Sequence, residues 1–197
     1  MGGRTGRKWL FRALVSLCLA TLLLAVGTIA YAAHVRASAK ALIDAAGRIR
    51  SRADVEQQAR IWQRARGYSE FVSPDGTERG YQMEVRSGWL STFRLVPSTG
   101  VLLQVSTRSN ILERVVLGMY NEQSSVWVQR ASLTTTSHIW LQRDRAGVPA
   151  KVLVMLGSAA DESTLAKAFA LNANCMVKLG GCKNAQEMLP SVSQLEK

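Results

Sequence analysis

The first strong feature along the chain is an apolar run from Ala13 to Ala33, 21 residues without a charged side chain and with Leu22, Leu23 and Leu24 at its centre. At a rise of about 1.5 Å per residue such a helix is about 30 Å long, the thickness of a bilayer's hydrocarbon core. The run therefore predicts a transmembrane helix, with Trp9 and Tyr31 near its ends, where aromatic rings favour the interface. A cleaved signal peptide is the rival reading, because a basic stretch precedes the run and Ala30-Tyr31-Ala32 matches a small-x-small cleavage pattern. The run is longer than the roughly 7 to 15 residues of a signal core, which favours a retained anchor. Both readings carry the rest of the chain out of the cytoplasm.

Beyond the run, Val35, Ala39, Leu42, Ala46 and Ile49 recur at spacings of four and three, a helical stripe that extends the anchor outward. Ser51 and Asp54 have the spacing of a capping box, and Val55, Ala59, Trp62 and Ala65 share one face, predicting a second helix over 53–66 ended by Gly67. From residue 68 the period changes to two. Strands are predicted around Tyr81–Val85 and over Leu90–Val96, Val101–Thr107, Ile111–Tyr120, Ser125–Ala131, His138–Arg143 and Lys151–Leu156. Turn residues separate them, at Ser73-Pro74-Asp75-Gly76, Pro97-Ser98-Thr99-Gly100, Asn121-Glu122 and Asp144-Arg145-Ala146-Gly147. Short connections imply antiparallel pairing, since a parallel crossover needs about a dozen residues or more. A last amphipathic helix carries Leu165, Phe169, Ala173, Met176 and Leu179 on one face and stops at Gly180-Gly181, and Asn184–Leu189 forms a further turn before Pro190.

The fold class expected is α+β: an N-terminal transmembrane helix, then an antiparallel sheet of five to seven strands packed by flanking N- and C-terminal helices. The expected division is a basic cytoplasmic N-terminus over 1–12, a signal anchor over 13–33, a juxtamembrane helical segment over 34–66 and an extracytoplasmic α+β domain over 67–197.

The formal charge of +11 first suggests a nucleic-acid partner, but its placement does not. Residues 1–66 hold 12 Lys and Arg against 3 Asp and Glu, a net of +9, whereas residues 67–197 hold 13 against 11, a net of +2. The excess flanks the apolar run, from Arg4, Arg7, Lys8 and Arg12 on one side to Arg36, Lys40 and Arg48 on the other. Cations so placed meet anionic headgroups, at about 1 kcal/mol each near the surface. Membrane lipids, through residues 13–33 and their basic flanks, are the expected partner, with no nucleic acid. The basic N-terminus and the cysteines argue for an N-inside orientation.

Cys18 lies within the apolar run, whereas Cys175 and Cys182 form an isolated late pair. In an exported domain that pair reads as a disulfide, with Gly180-Gly181 letting the chain fold back between its halves. No C-x-x-C supports a redox role.

The ending, from Phe169-Ala-Leu-Asn-Ala-Asn-Cys175 through Gly180-Gly181-Cys182-Lys-Asn-Ala-Gln-Glu-Met-Leu-Pro190, resembles the tail of uncharacterised bacterial single-pass membrane proteins. The resemblance covers the last thirty residues or so and the general layout. It implies a bacterial envelope setting, on the periplasmic side of an inner membrane, and supplies no activity. The layout is also similar to that of pilins, but no acidic residue stands near the start of the apolar run and Lys8-Trp9-Leu10 lacks their glycine-phenylalanine processing junction.

Candidate chemistry is sparse. His34 and His138 are the only histidines, so a transition-metal centre is not expected, and no cofactor is implied. The chain contains no H-E-x-x-H, G-x-S-x-G or glycine-rich phosphate loop. Ser132, His138 and Asp144 can be drawn as a triad, yet strand alternation and the turn before Asp144 argue against their convergence. Glu70, Glu78, Glu84, Glu113 and Glu122 fall on separate strands or loops and read as surface charges rather than a glycosidase pair. Trp89, Trp127 and Trp140 could stack a sugar or base, but large aromatics on strands more often belong to a core, and that is the expectation here, with Val126 and Val128 beside Trp127 facing the opposite side of the sheet. The function expected is that of a membrane-anchored, non-enzymatic envelope protein binding a protein or small ligand. A pilin-like subunit and an exported hydrolase with a dispersed site are the alternatives.

Overall fold

A computed structural model describes residues 3–74, 76–109 and 111–195, with side chains from Trp9 onward. Asp75 of the first turn, and the side chains of Arg4, Arg7 and Lys8, lie outside the described residues. The chain begins with one continuous helix, α1 (Gly3–Arg48), that divides by burial. Every side chain from Trp9 to Gly27 is exposed, and this helix is long and apolar enough to cross a membrane. Burial begins at Val35 and continues through Ala39, Leu42, Ala46 and Ile49, the stripe read from the sequence, joined by Ile43 and Ala45. The segment expected only as juxtamembrane is thus part of the domain's core. Arg130 donates to the Ile49 carbonyl at 3.1 Å, and Arg50 pairs with Glu162 at 3.0 Å, so the end of α1 is fastened to the rest of the domain.

Helix α2 (Arg52–Trp62) starts at the expected capping box. Ser51 Oγ accepts from the Asp54 N–H at 3.3 Å, and Asp54 Oδ2 accepts from the Ser51 and Arg50 N–H groups at 2.8 and 2.9 Å. The helix ends at Trp62, short of Gly67, because Gly67 serves the next strand. At φ 89° its α-carbon faces the Glu84 carbonyl, and an added Cβ would lie 2.2 Å from that oxygen.

Seven strands follow: β1 (Tyr68–Val72), β2 (Glu78–Arg86), β3 (Gly100–Arg108), β4 (Ile111–Tyr120), β5 (Ser125–Ala131), β6 (His138–Arg143) and β7 (Pro149–Leu156). They form one sheet in the order β1-β2-β3-β4-β5-β7-β6. All pairs are antiparallel except β5 with β7, which are parallel. The crossover requirement is met because β6 itself is the crossover: it runs back along the far side of β7, and the β6–β7 hairpin sets β7 against β5.

The strand expected over Leu90–Val96 is absent. Its place is taken by a helical turn, α3 (Trp89–Thr92), in an excursion between β2 and β3. Since those two strands pair with each other through Arg86 and Gly100, the intervening residues meet no free edge. Buried Ser87 closes the excursion: its N–H donates to the Thr99 carbonyl and its Oγ accepts from the Thr99 N–H at 3.1 Å.

The single C-terminal helix expected to reach Leu179 is broken into α4 (Glu162–Ala168), a 3-10 turn (Ala173–Met176), α5 (Ala185–Met188) and α6 (Val192–Leu195). Asn172 makes the break, donating its N–H to Met188 O at 2.8 Å and its side-chain amide to Glu187 O at 3.1 Å. The Cys175–Cys182 disulfide closes the next segment, with Cα atoms 5.1 Å apart. Leu179 points outward instead of into the core, at 77% exposure.

Side-chain alternation then sorts the sheet. Met83, Leu103, Leu117, Val128 and Val154 lie side by side across β2, β3, β4, β5 and β7, on the face covered by α1 and the C-terminal helical turns. The fold is α+β with a mostly antiparallel sheet covered on one side.

Candidate functional site: the open face of the sheet

The opposite face carries the alternate residues. One row across the sheet runs Glu84, Leu102, Gly118, Trp127, Leu153 and Trp140, each paired with the next. An adjoining row runs Arg86, Gly100, Tyr120, Ser125, Lys151 and Gln142. Glycine creates the room for flat aromatic rings here. A Cβ on Gly118 would fall 2.2 Å from the Trp127 ring, and one on Gly100 would fall 2.6 Å from Tyr120. Both rings therefore lie close over the backbone, stacked at 6.0 Å with 5° between their planes. Trp140 stands two strands from Trp127, beyond Leu153, and is 55% exposed.

The expectation that the three tryptophans are core fails. Val126 and Val128 take the inward positions on β5, so alternation turns Trp127 out, and the same register turns Trp140 out on the edge strand β6. Trp89 left the sheet with the β2–β3 excursion. Alternation set Trp127 opposite Val126 and Val128 in the sequence already; which of the two sides the helices cover was not legible there.

A polar group borders the aromatic row. Tyr120 Oη donates to Glu84 Oε1, and Arg86 Nε donates to the same oxygen at 2.6 Å. Burial works to raise the Glu84 carboxyl, but the bonds from Arg86 and Tyr120 outweigh it and hold it below its ordinary value. Burial, reinforced by the Glu84 carboxylate, raises the Tyr120 phenol. Glu84 is accordingly a fixed anion and Tyr120 a neutral donor, a pair suited to fixing orientation rather than to exchanging protons.

The other candidate residues do not assemble into a catalytic set. His138 and Asp144 lie at opposite ends of β6; His138 Nε2 stands 3.2 Å from Thr136 Oγ1, while Asp144 Oδ1 accepts the Ala146 and Val148 N–H groups within its turn. Ser132 donates its N–H to Glu113 O at 2.9 Å. Glu78 and Glu113 do converge, on Arg108 at 3.8 and 3.5 Å, with Arg114 3.9 Å from Glu78. Two guanidinium groups interleave those carboxylates, an arrangement of charge neutralisation. Glu70 accepts from Tyr68 Oη at 2.7 Å, and Glu122 borders an open hollow with Arg94 and Leu95. His34 is exposed beside Tyr31 at the start of the domain. Among the described residues, no three His, Cys, Asp or Glu side chains come together as a metal set.

The larger cavities lie elsewhere. A shallow groove of about 720 Å³ separates α1 from residues 166–174, with Arg36, Lys40 and Arg48 along one wall, but Lys40 is paired with Asp44 at 2.8 Å. A second, more apolar opening of about 670 Å³ lies where α1 meets β2, lined by Tyr31, Val35, Met83 and Val85. Comparison with protein-family models, with curated proteins and with solved structures finds no match to this chain.

Proposed function

We propose that this protein is a single-pass, membrane-anchored and non-enzymatic component of a bacterial envelope. Its domain stands on the periplasmic side of the inner membrane and binds another protein through the open sheet face. The observation that carries the reading is the composition of that face. A solvated antiparallel sheet ordinarily alternates apolar residues inward with polar ones outward. Here Tyr120, Trp127, Leu153 and Trp140 occupy the outward rows, with Glu84, Arg86, Gln82, Gln104, Gln129 and Gln142 around or among them. Flat aromatic anchors inside a polar rim match the anatomy of protein interfaces, whereas a small ligand favours a concavity. The disulfide supports an oxidising compartment, and the exposed half of α1 supports the anchor. The Tyr31 ring supports retention of the segment, because it packs on Trp89 and cleavage after Ala32 would remove it.

A photo-crosslinking amino acid at Trp140 in cells, compared with one at Gln57 on the exposed side of α2, tests the reading. A discrete adduct is expected from position 140, absent from position 57 and abolished by Trp127→Ala. Equal adducts from both positions, or none from 140, would sink it.

A further inference from the structure

We infer that the β2–β3 excursion, residues 88–96, is a second membrane contact: an interfacial foot that rests in the headgroup layer beside the anchor and fixes the tilt of the domain. The inference rests on the anchoring half of the proposed function and adds a lipid-binding element to it. The height of the bilayer surface is set twice along α1, by independent features. The apolar run ends at Ala33, and burial within the domain begins at Val35. Tyr31 lies just below that junction, about 3 Å of helical rise before Ala33. Its ring meets the edge of Trp89 at 5.5 Å, and Trp89 in turn meets Phe93 at 5.4 Å, so an unbroken line of rings leads from the anchor into the excursion. Gly88 permits this approach, since a Cβ there would fall 2.5 Å from Tyr31 Oη.

The excursion's own side chains divide to match. Leu90 and Val96 are buried and hold it to the domain, while Phe93 and Leu95 are 61% and 39% exposed. Arg94 stands between them, in the left-handed region at φ 54°. An aromatic, a cation and a leucine in succession make the mixture that favours the interface, the ring and aliphatic chain entering the acyl boundary and the guanidinium meeting phosphate. Single exposed apolar residues are ordinary on a soluble surface. Phe93 differs in being joined to the end of the apolar run through the ring contacts of Trp89 and Tyr31, and Leu95 stands two residues from it.

The test uses the full chain carrying Cys18→Ser, reconstituted into phosphatidylethanolamine–phosphatidylglycerol vesicles, with an environment-sensitive fluorophore on a single introduced cysteine. Phe93→Cys and Leu95→Cys probe the foot, Leu133→Cys the opposite end of the sheet, and Leu23→Cys the middle of the anchor. The foot predicts blue-shifted emission at 93 and 95 that shallow nitroxide lipids quench, solvent-like unquenched emission at 133, and quenching by deep nitroxides at 23. Solvent-like emission at 93 and 95 with deep quenching at 23 overturns the foot and leaves the anchor standing. Blue-shifted emission at 93 and 95 that no nitroxide lipid quenches means that protein covers the loop, and also overturns it. Absence of quenching at 23 overturns the anchor itself.

Discussion

Replacing both bridging cysteines, as Cys175→Ala with Cys182→Ala, should destabilise the domain by an amount that the chain length between them sets. The two are seven residues apart, so the cross-link removes loop entropy from the unfolded chain worth about 2 to 2.5 kcal/mol at room temperature. That is a large share of the 5 to 15 kcal/mol typical of a domain. The loss has a structural address. The bridge ties the 3-10 turn packed on α1 to a segment whose Cys182 carbonyl accepts from Asn121 Nδ2 at 2.8 Å and whose Lys183 carbonyl accepts from Ser124 Oγ at 3.1 Å. Losing it should therefore loosen residues 172–184 first and the β4–β5 turn with them. Urea titration of the full chain in detergent, followed by tryptophan fluorescence, should show the midpoint fall by about 1 M, given a slope near 2 kcal/mol per M. The wild-type chain titrated under reductant should fall by nearly as much, because it loses the bridge but keeps the sulfur volume; any excess in the alanine variant measures the cavities left at two fully buried sites. An unchanged midpoint in both, or free thiols at 175 and 182 in protein isolated from cells, would refute the reasoning.

Leu42→Ala removes a fully buried side chain at the joint between α1 and the sheet, and should cost about 3 kcal/mol in the same titration. Gly67→Ala places a Cβ against the Glu84 carbonyl at a left-handed position and should cost about 2 kcal/mol or more, whereas Gly76→Ala, at a similar φ in open space, should cost only the backbone strain. The Asp54 carboxyl is lowered by the backbone N–H groups of Arg50 and Ser51, and that of Asp161 by the Thr164 N–H. A carboxyl lowered on folding adds stability above its ordinary value of 3.8 and loses it as pH falls through the folded value. Asp54→Asn with Asp161→Asn should therefore flatten the acid limb of a stability-against-pH curve, and an unaltered limb would count against these caps. Carbonate extraction of membranes should leave the protein in the pellet, and the mature chain should have a mass that includes Tyr31; a mass starting at Ala33 would instead show a cleaved signal.

What the sequence by itself determined are the features carried by local periodicity and local chemistry. Twenty-one uncharged residues define a membrane-length helix, the stripe from Val35 to Ile49 is buried where its spacing of four and three requires, and Ser51 with Asp54 starts α2 by hydrogen bonds within four residues. Six strand segments and the disulfide pair were legible for the same reason, since alternation and turn residues are local signals. Tertiary structure decided what depends on neighbours distant in sequence. Leu90–Val96 has strand-like composition but no free edge, because β2 and β3 already pair across it. The last helix breaks where Asn172 finds the carbonyls of Glu187 and Met188, partners invisible to a helical wheel. The parallel β5–β7 pair follows from inserting a hairpin rather than from any residue within it. The tryptophans show the division most clearly: size and hydrophobicity argue for a core and alternation beside Val126 and Val128 sets Trp127 opposite to them, but only the packing of α1 and the C-terminal helical turns on the valine side leaves Trp127 and Trp140 on the open face.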